Sequence, residues 1–259
     1  METNAAHDAP SAVRAAHTAL PSLAGRRAAI TGGTTGIGRA IAMLLAAEGA
    51  QVFICGHNPD HLADALRHIE AVGQGAGMTI DLSDPDASDR FLAEAEAAMG
   101  GIDIVVANAA VPAGAIADTG EADLRYQIAV DFTAYLLLTR AAAERMVPGG
   151  DLLLIGSMSA VSQGGGSSIY VAAKTGIQGF AHALRQELAL RDIKVGLIEP
   201  GLTGSDMQYP AIPNEEQRAL IEADKMIRAE DVAVAAHFML SQPRRSAVSV
   251  IRIESRLTR

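Results

Sequence analysis

"RRAAITGGTTGIGRAIAMLLAAEG", residues 26–49, decides the fold. It opens on an aliphatic run short enough for a strand. A turn follows in which Gly32, Gly36 and Gly38 strip the backbone of side chains. Then comes an apolar segment of helical period that Gly49 closes. A strand that runs into a helix across such a turn brings backbone N–H groups and the positive helix end to the strand's carboxyl end. An anion can be held there.

The same rhythm continues outward. QVFICG (51–56), GMTIDL (77–82), IDIVVANAA (102–110), DLLLIGS (151–157), IKVGLIEP (193–200) and AVSVIRIE (247–254) read as strands. Between them, residues 59–73, 84–101, 121–147, 167–192 and 228–241 carry helical periods. The helix from 84 is expected to be capped by Ser83 or Asp84, and that over 121–147 to be continuous. Near-continuous apolar strands are buried on both faces, and right-handed crossovers then wind helices over both sides. The expectation is an α/β fold: a doubly wound, Rossmann-type, seven-stranded parallel sheet. Residues 1–20 read as a loosely held tail and 21–259 as a single domain.

Composition removes several function classes. The chain has 259 residues, a net charge of -9 and no tryptophan, so it suits neither a phosphate backbone nor base stacking, and nucleic acid is not an expected partner. No apolar run approaches the length of a membrane span, and the first residues lack the apolar stretch of a secretory signal. The one cysteine, Cys55, rules out an internal disulfide and fits a reducing, cytoplasmic setting. His61, His68, His182 and His237 fall within helices without metal-ligand spacing, so no metal is expected.

In a doubly wound sheet, ligands bind beyond the carboxyl ends of the strands, where the strand order reverses. Gly32 allows the tight turn, Gly36 the approach of a pyrophosphate, and Gly38 close packing of helix on sheet. Thr34, Thr35 and Ile37 complete that loop. A lone glycine turn can be merely a tight connection. A second signal is YVAAK, which puts Tyr170 and Lys174 four apart on one helix face. A nearby ammonium favours the phenolate, so Lys174 is expected to lower the Tyr170 pKa. Ser157, at the end of the fifth strand, could hydrogen-bond a substrate oxygen. A carbonyl held between Ser157 and Tyr170 is a complete site for hydride transfer from a nicotinamide.

TGGTTGIG, NAA after the fourth strand, GSMS, YVAAK and EPG occur together in an order and spacing that resemble the short-chain dehydrogenase/reductase family, from about residue 23 to the C-terminus. The resemblance implies an NAD(P)-dependent oxidoreductase acting on a small carbonyl or alcohol. It implies Tyr170 as general acid/base, and Lys174 as the group that tunes it and binds the nicotinamide ribose. It implies Ser157 as the polarising hydroxyl and a homo-oligomer, most often a tetramer. Asp81 would bond the adenine, with Leu82 beside it; Asn108 would hold the cofactor site; Pro200, Gly201 and Thr203 would line its nicotinamide end. The reading of Asp81 as a cap for the following helix stays open.

Two positions depart from the family pattern. ANAA stands for NNAG, and VDFTA puts Asp131 where the family carries an Asn that holds a relay water. Asp131 therefore joins the catalytic candidates, and it also supports an alternative: a cofactor-binding sensor or partner subunit with little turnover. The cofactor is expected to be NADP(H), with NAD(H) possible. NAD-preferring enzymes place an acidic residue at the end of the second strand to bond the ribose hydroxyl. Here Gly56 stands there, followed by His57 and Asn58. A histidine clamps a phosphate less firmly than an arginine and more firmly in acid, so a modest preference that grows as the pH falls is expected. The segment 202–225 reads as a mobile lid with a short helix.

Overall fold

The computed structural model describes residues 20–257. The expected tail, residues 1–20, lies outside the described residues except for Leu20. The strands are β1 (Arg27–Thr31), β2 (Gln51–Gly56), β3 (Gln74–Thr79), β4 (Ile104–Ala107), β5 (Asp151–Ile155), β6 (Lys194–Pro200) and β7 (Val250–Ile253). They form one sheet in the order β3-β2-β1-β4-β5-β6-β7, with every pairing parallel. The order reverses between β1 and β4, as the sequence predicts for a doubly wound sheet.

The helices are α1 (Gly36–Ala47), α2 (Pro59–Glu70), α3 (Ala87–Met99), α4 (Glu121–Ile128), α5 (Ala134–Arg145), α6 (Ser159–Ser162), α7 (Ser168–Ala189), α8 (Asn214–Glu222) and α9 (Ala229–Leu240). Their apolar stripes divide between the two sheet faces. Phe91 of α3, Leu138 of α5 and Ile177 of α7 are buried on one face. Ile41 and Leu45 of α1, Ile69 of α2 and Val232 of α9 are buried on the other.

Three expectations need correction. The third strand begins at Gln74, three residues before its predicted start, and ends at Thr79. Its glycines mark close packing: a Cβ at Gly75 would run into Ile69 of α2, and one at Gly77 would lie 2.6 Å from the Ile54 carbonyl oxygen. The next helix starts at Ala87, not at Ser83 or Asp84, and Asp86 precedes it without a side-chain capping bond. The helix expected over 121–147 is not continuous. Between α4 and α5 one turn, Ala129–Thr133, widens into π-helix, and Asp131 sits in it.

The amino ends of the strands carry a closed set of ion pairs. Arg27 Nε donates to Asp103 Oδ2 at 2.7 Å and its Nη2 to Oδ1 at 2.8 Å. Asp151, 4% exposed, faces Arg26 at 2.9 Å and both Lys194 and Arg244 at 3.3 Å. These contacts tie β1, β4, β5, β6 and the segment before β7 together.

Candidate active site

The opposite, carboxyl ends of β1, β4 and β5 meet where the strand order reverses. Thr31 ends β1, and its Oγ1 accepts from the N–H groups of Asn108 (3.0 Å) and Ala109 (3.2 Å). Asn108 Nδ2 donates in return to the carbonyls of Thr31 (2.9 Å) and Gly32 (3.1 Å). The loops after β1 and β4 are thus stitched side by side, and the glycines follow from that closeness. Gly32 has φ +63°, and a Cβ there would lie 2.8 Å from Ala109 Cα; a Cβ at Gly38 would run into the Gly32 carbonyl. Gly36, also with positive φ, is the first residue of α1. Thr35 precedes the helix in extended backbone and makes no side-chain capping bond, so it leaves the first-turn N–H groups to a ligand. A cradle that side chains would fill, facing an uncapped helix N-terminus, fits a dinucleotide pyrophosphate.

The remaining cofactor candidates ring this cradle. His57 follows β2 and is exposed. Together with Asp81 it lines a groove that Thr79, Ile80 and Arg90 complete. Asp81 Oδ1 accepts from the Ser83 N–H at 2.9 Å, so the carboxylate caps a turn and not α3. Leu82 is buried. Pro200 closes β6; the Gly201 N–H donates to the Ile253 carbonyl at 2.8 Å, and Thr203 Oγ1 to the Gly201 carbonyl at 2.9 Å. The segment expected as a mobile lid is internally bonded. Buried Gln217 of α8 accepts from the Ser205 N–H at 2.9 Å and donates to the Ile212 carbonyl at 2.9 Å.

Ser157, Tyr170, Lys174 and Asp131 converge beside this cradle. Ser157 Oγ accepts from the Ser159 N–H at 3.0 Å, which leaves its own hydrogen for an oxygen in the cleft. Tyr170 and Lys174 lie one turn apart on α7. Lys174 is 1% exposed; its Nζ donates to Tyr135 Oη at 3.2 Å and to the Ile155 carbonyl at 3.1 Å. It also lies 4.8 Å from the Tyr135 ring centre and 5.5 Å from that of Tyr170. Asp131 is likewise 1% exposed. Its Oδ1 accepts from the Val111 N–H at 2.7 Å, and its Oδ2 has no hydrogen-bond partner among the described residues.

This burial sets the electrostatics. Desolvation pushes the Asp131 carboxyl up to about 6, against the opposing pull of Lys174 and the Val111 N–H. Desolvation brings the Lys174 ammonium down to about 8, and Asp131 acts to hold it up. The Tyr170 phenol is pushed up to about 12, chiefly by burial and then by Asp131, while Ser157 acts to lower it. The expected lowering of Tyr170 by Lys174 is therefore not what this geometry gives. The ammonium hydrogen-bonds Tyr135 and the Ile155 carbonyl instead.

Tyr135, Ile155 and Val111 escaped the sequence reading. Tyr135 alone carried a signal: it stands four residues after Asp131, as Lys174 stands four after Tyr170. Among the described residues no group of three His, Cys, Asp or Glu side chains could hold a metal ion. None of the described helices is long and apolar enough to cross a membrane.

Comparison with known proteins agrees with this architecture. The sequence model of the short chain dehydrogenase family matches residues 26–216. An L-rhamnose 1-dehydrogenase (NADP(+)) of Thermoplasma acidophilum is 33% identical over 227 residues, 84% of this chain and 89% of that protein. The 3-oxoacyl-(acyl-carrier-protein) reductase of Escherichia coli is 30% identical over 224 residues, 84% of this chain and 90% of the relative. A short chain dehydrogenase from Burkholderia cenocepacia, solved in complex with NADP, superposes with a TM-score of 0.81 at 31% identity, covering 90% of this chain and 98% of that one. The fold and matches define an oxidoreductase class, and the chain belongs to the short chain dehydrogenase family.

Proposed function

We propose that this chain interconverts a small carbonyl compound and a secondary alcohol by hydride transfer, with NADP(H) as the favoured cofactor. The observation that carries the reading is the convergence of Ser157, Tyr170 and Lys174 beside the glycine cradle at the switch point. Bound there, the nicotinamide would supply or accept the hydride. Ser157 hydrogen-bonds the substrate oxygen with the hydrogen that Ser159 leaves free. Tyr170 gives that oxygen its proton in reduction and takes it in oxidation. With its pKa pushed up, Tyr170 is protonated at neutral pH, the form that gives a proton in reduction. Lys174 contributes a fixed positive charge and its third N–H to the cofactor ribose. Gly32, Gly36 and Gly38 admit the pyrophosphate, and Asp81, Leu82, Asn108, Pro200, Gly201 and Thr203 border the two ends of the cofactor. The NADP complex of the Burkholderia relative and the name of the Thermoplasma one support the choice of NADP(H), as does the absence of an acidic side chain at Gly56.

A second reading is a cofactor-binding sensor with little turnover. It draws on Asp131, a carboxylate with one oxygen unpartnered among the described residues, buried where a relay is needed. Tyr170→Phe separates the two. In the enzyme reading the variant loses about 10²–10⁴-fold in kcat with a panel of ketones and keeps its NADPH affinity, since only the transferable proton is gone. Undiminished turnover in the variant defeats the mechanism, and no turnover in the parent protein favours the sensor. We further propose a single domain over 21–259 and a cytoplasmic homotetramer joined through the small-residue faces of α5 and α7.

A further inference from the structure

Tyr135 is a buried phenol that the reaction above does not use, 2% exposed and packed under the catalytic cluster. Its Oη accepts from Lys174 Nζ at 3.2 Å and donates to the Ile155 carbonyl at 3.1 Å. Lys174 donates to that same carbonyl at 3.1 Å. Ammonium, phenol and peptide oxygen close a three-membered ring of hydrogen bonds, with the cation also 4.8 Å from the Tyr135 ring centre. We propose that Tyr135 is the positioning residue of the catalytic lysine: its hydroxyl and ring fix the Lys174 ammonium beneath the cleft with one N–H left to point outward. The inference rests on the role given to Lys174 in the reaction above.

The chemistry of the ring favours this over a packing role. An ammonium has three donors and no acceptor. Two of them are committed to oxygens that belong to different elements, α5 and β5, so rotation about the last side-chain bond is stopped. The phenol presents its lone pair to Lys174 only because the Ile155 carbonyl takes its hydrogen. A carbonyl cannot pass a proton on, so this end of the network is closed. Tyr135 therefore holds the lysine as a charge and does not conduct protons from it.

The groups that face the ammonium are Tyr135 from α5, Asp131 from the π turn, Tyr170 from its own helix and the Ile155 carbonyl from β5. Asp131 supplies the counter-charge without touching Oη. Tyr135 supplies the hydrogen bond. The two contributions can be removed one at a time.

Tyr135→Phe removes the hydroxyl and keeps the ring. The lysines are Lys174, Lys194 and Lys225, so nitrogen-15 lysine labelling allows the Lys174 ammonium to be titrated directly by NMR. A lost hydrogen bond to a charged group should lower its titration midpoint by about one pH unit or more. The same shift is expected in the alkaline limb of kcat, and the NADPH dissociation constant should rise about tenfold because the outward N–H is no longer aimed. A variant with a lower Tm but an unmoved Lys174 midpoint overturns the proposal, because packing alone would then account for Tyr135. Should the variant not fold, the parent protein decides: Lys174 ammonium hydrogens held by Oη and Ile155 should exchange with water far more slowly than those of Lys225. Equal exchange rates overturn it. Retained turnover in Tyr170→Phe sinks the reaction scheme and leaves the NMR midpoint still able to judge Tyr135.

Discussion

The two ends of the sheet use the same side chains to opposite effect. At the amino ends, Asp103 grips Arg27 in a two-pronged pair, and that guanidinium holds its carboxyl below the usual carboxylate range. Asp151, nearly as buried as Asp131, has Arg26, Lys194 and Arg244 around it. At the carboxyl ends, Asp131 has one backbone N–H on one oxygen, no partner for the other among the described residues, and no cation in hydrogen-bonding contact. Its carboxyl is pushed up while that of Asp103 is held down. Paired charge marks the end that holds the strands together. Charge left short of partners marks the end where a proton and a ligand must come and go.

Asp151→Asn is the strongest way to test the stabilising end. It leaves three cations around a neutral amide, and breaking a buried pair on one side costs about 3 kcal/mol. Arg26 and Arg244 are partly exposed, so solvent screens them and about 2 kcal/mol is the expected loss. Denaturant unfolding should register that loss while kcat/KM stays within about twofold of the parent protein. A tenfold fall in kcat/KM in the folded variant would mean that the two ends are coupled and that the contrast drawn here is wrong.

Asp131→Asn probes the other end with a smaller effect. The carboxylate is the anion that holds the Lys174 ammonium up, so its removal lets burial bring Lys174 further below about 8. In the proposed mechanism charged Lys174 is the working form, so activity should be lost as the pH rises through its midpoint. The alkaline limb of kcat should therefore move about one unit to lower pH. The pH dependence centred near 6, where Asp131 itself titrates, should vanish. At pH 6 activity should equal or exceed that of the parent protein, since Asp131 also pushes the Tyr170 phenol up. A large loss of rate at every pH would show that the carboxylate has a direct role.

The contrast also explains what the sequence could say. Strand and helix periods are local, and they yielded the sheet, its switch point and the glycine cradle. Tyr170 and Lys174 are four apart, so their common face was legible. The rest depends on elements distant in sequence. Tyr135 meets Lys174 only because α5 packs against β4 and α7 against β6, the strands on either side of β5, and the Ile155 carbonyl that joins them is backbone without a residue signature. The π turn at Ala129–Thr133 follows no composition rule in this chain. The start of β3 was hidden because Gly75 carries no side chain to mark a strand, and its fit appears only when α2 is laid on it.

The smallest expected effect concerns the adenine side of the site, between the two ends in character. Gly56 sits where NAD-preferring enzymes carry an acid, and the structure adds a reason why none could enter with the loop as it stands. A Cβ at Gly56 would lie 2.5 Å from Thr34 Oγ1, so Thr34 fills the space an acidic side chain needs. With no side chain at Gly56 to repel it, a 2′-phosphate bound here would meet exposed His57. Asn58 offers its amide alone. Its Oδ1 accepts from the Asp60 N–H at 2.8 Å and the His61 N–H at 3.1 Å, so the side chain is held as a helix cap and offers only its amide hydrogens. The nearest arginine of α1, Arg39, is engaged with Asp64 of α2 at 3.0 Å. Beside that amide, the proposed phosphate clamp is thus the one imidazole of His57. His57→Arg replaces that imidazole with a permanent, forked cation, and an exposed charge pair of this kind is worth about 0.5–1 kcal/mol. The ratio of kcat/KM for NADPH over NADH should rise about three- to fivefold and become insensitive to salt-free changes of pH between 6 and 8. An unchanged ratio would place the phosphate away from His57. A parent protein that prefers NADH at both pH values would remove the case for NADP(H) at this site.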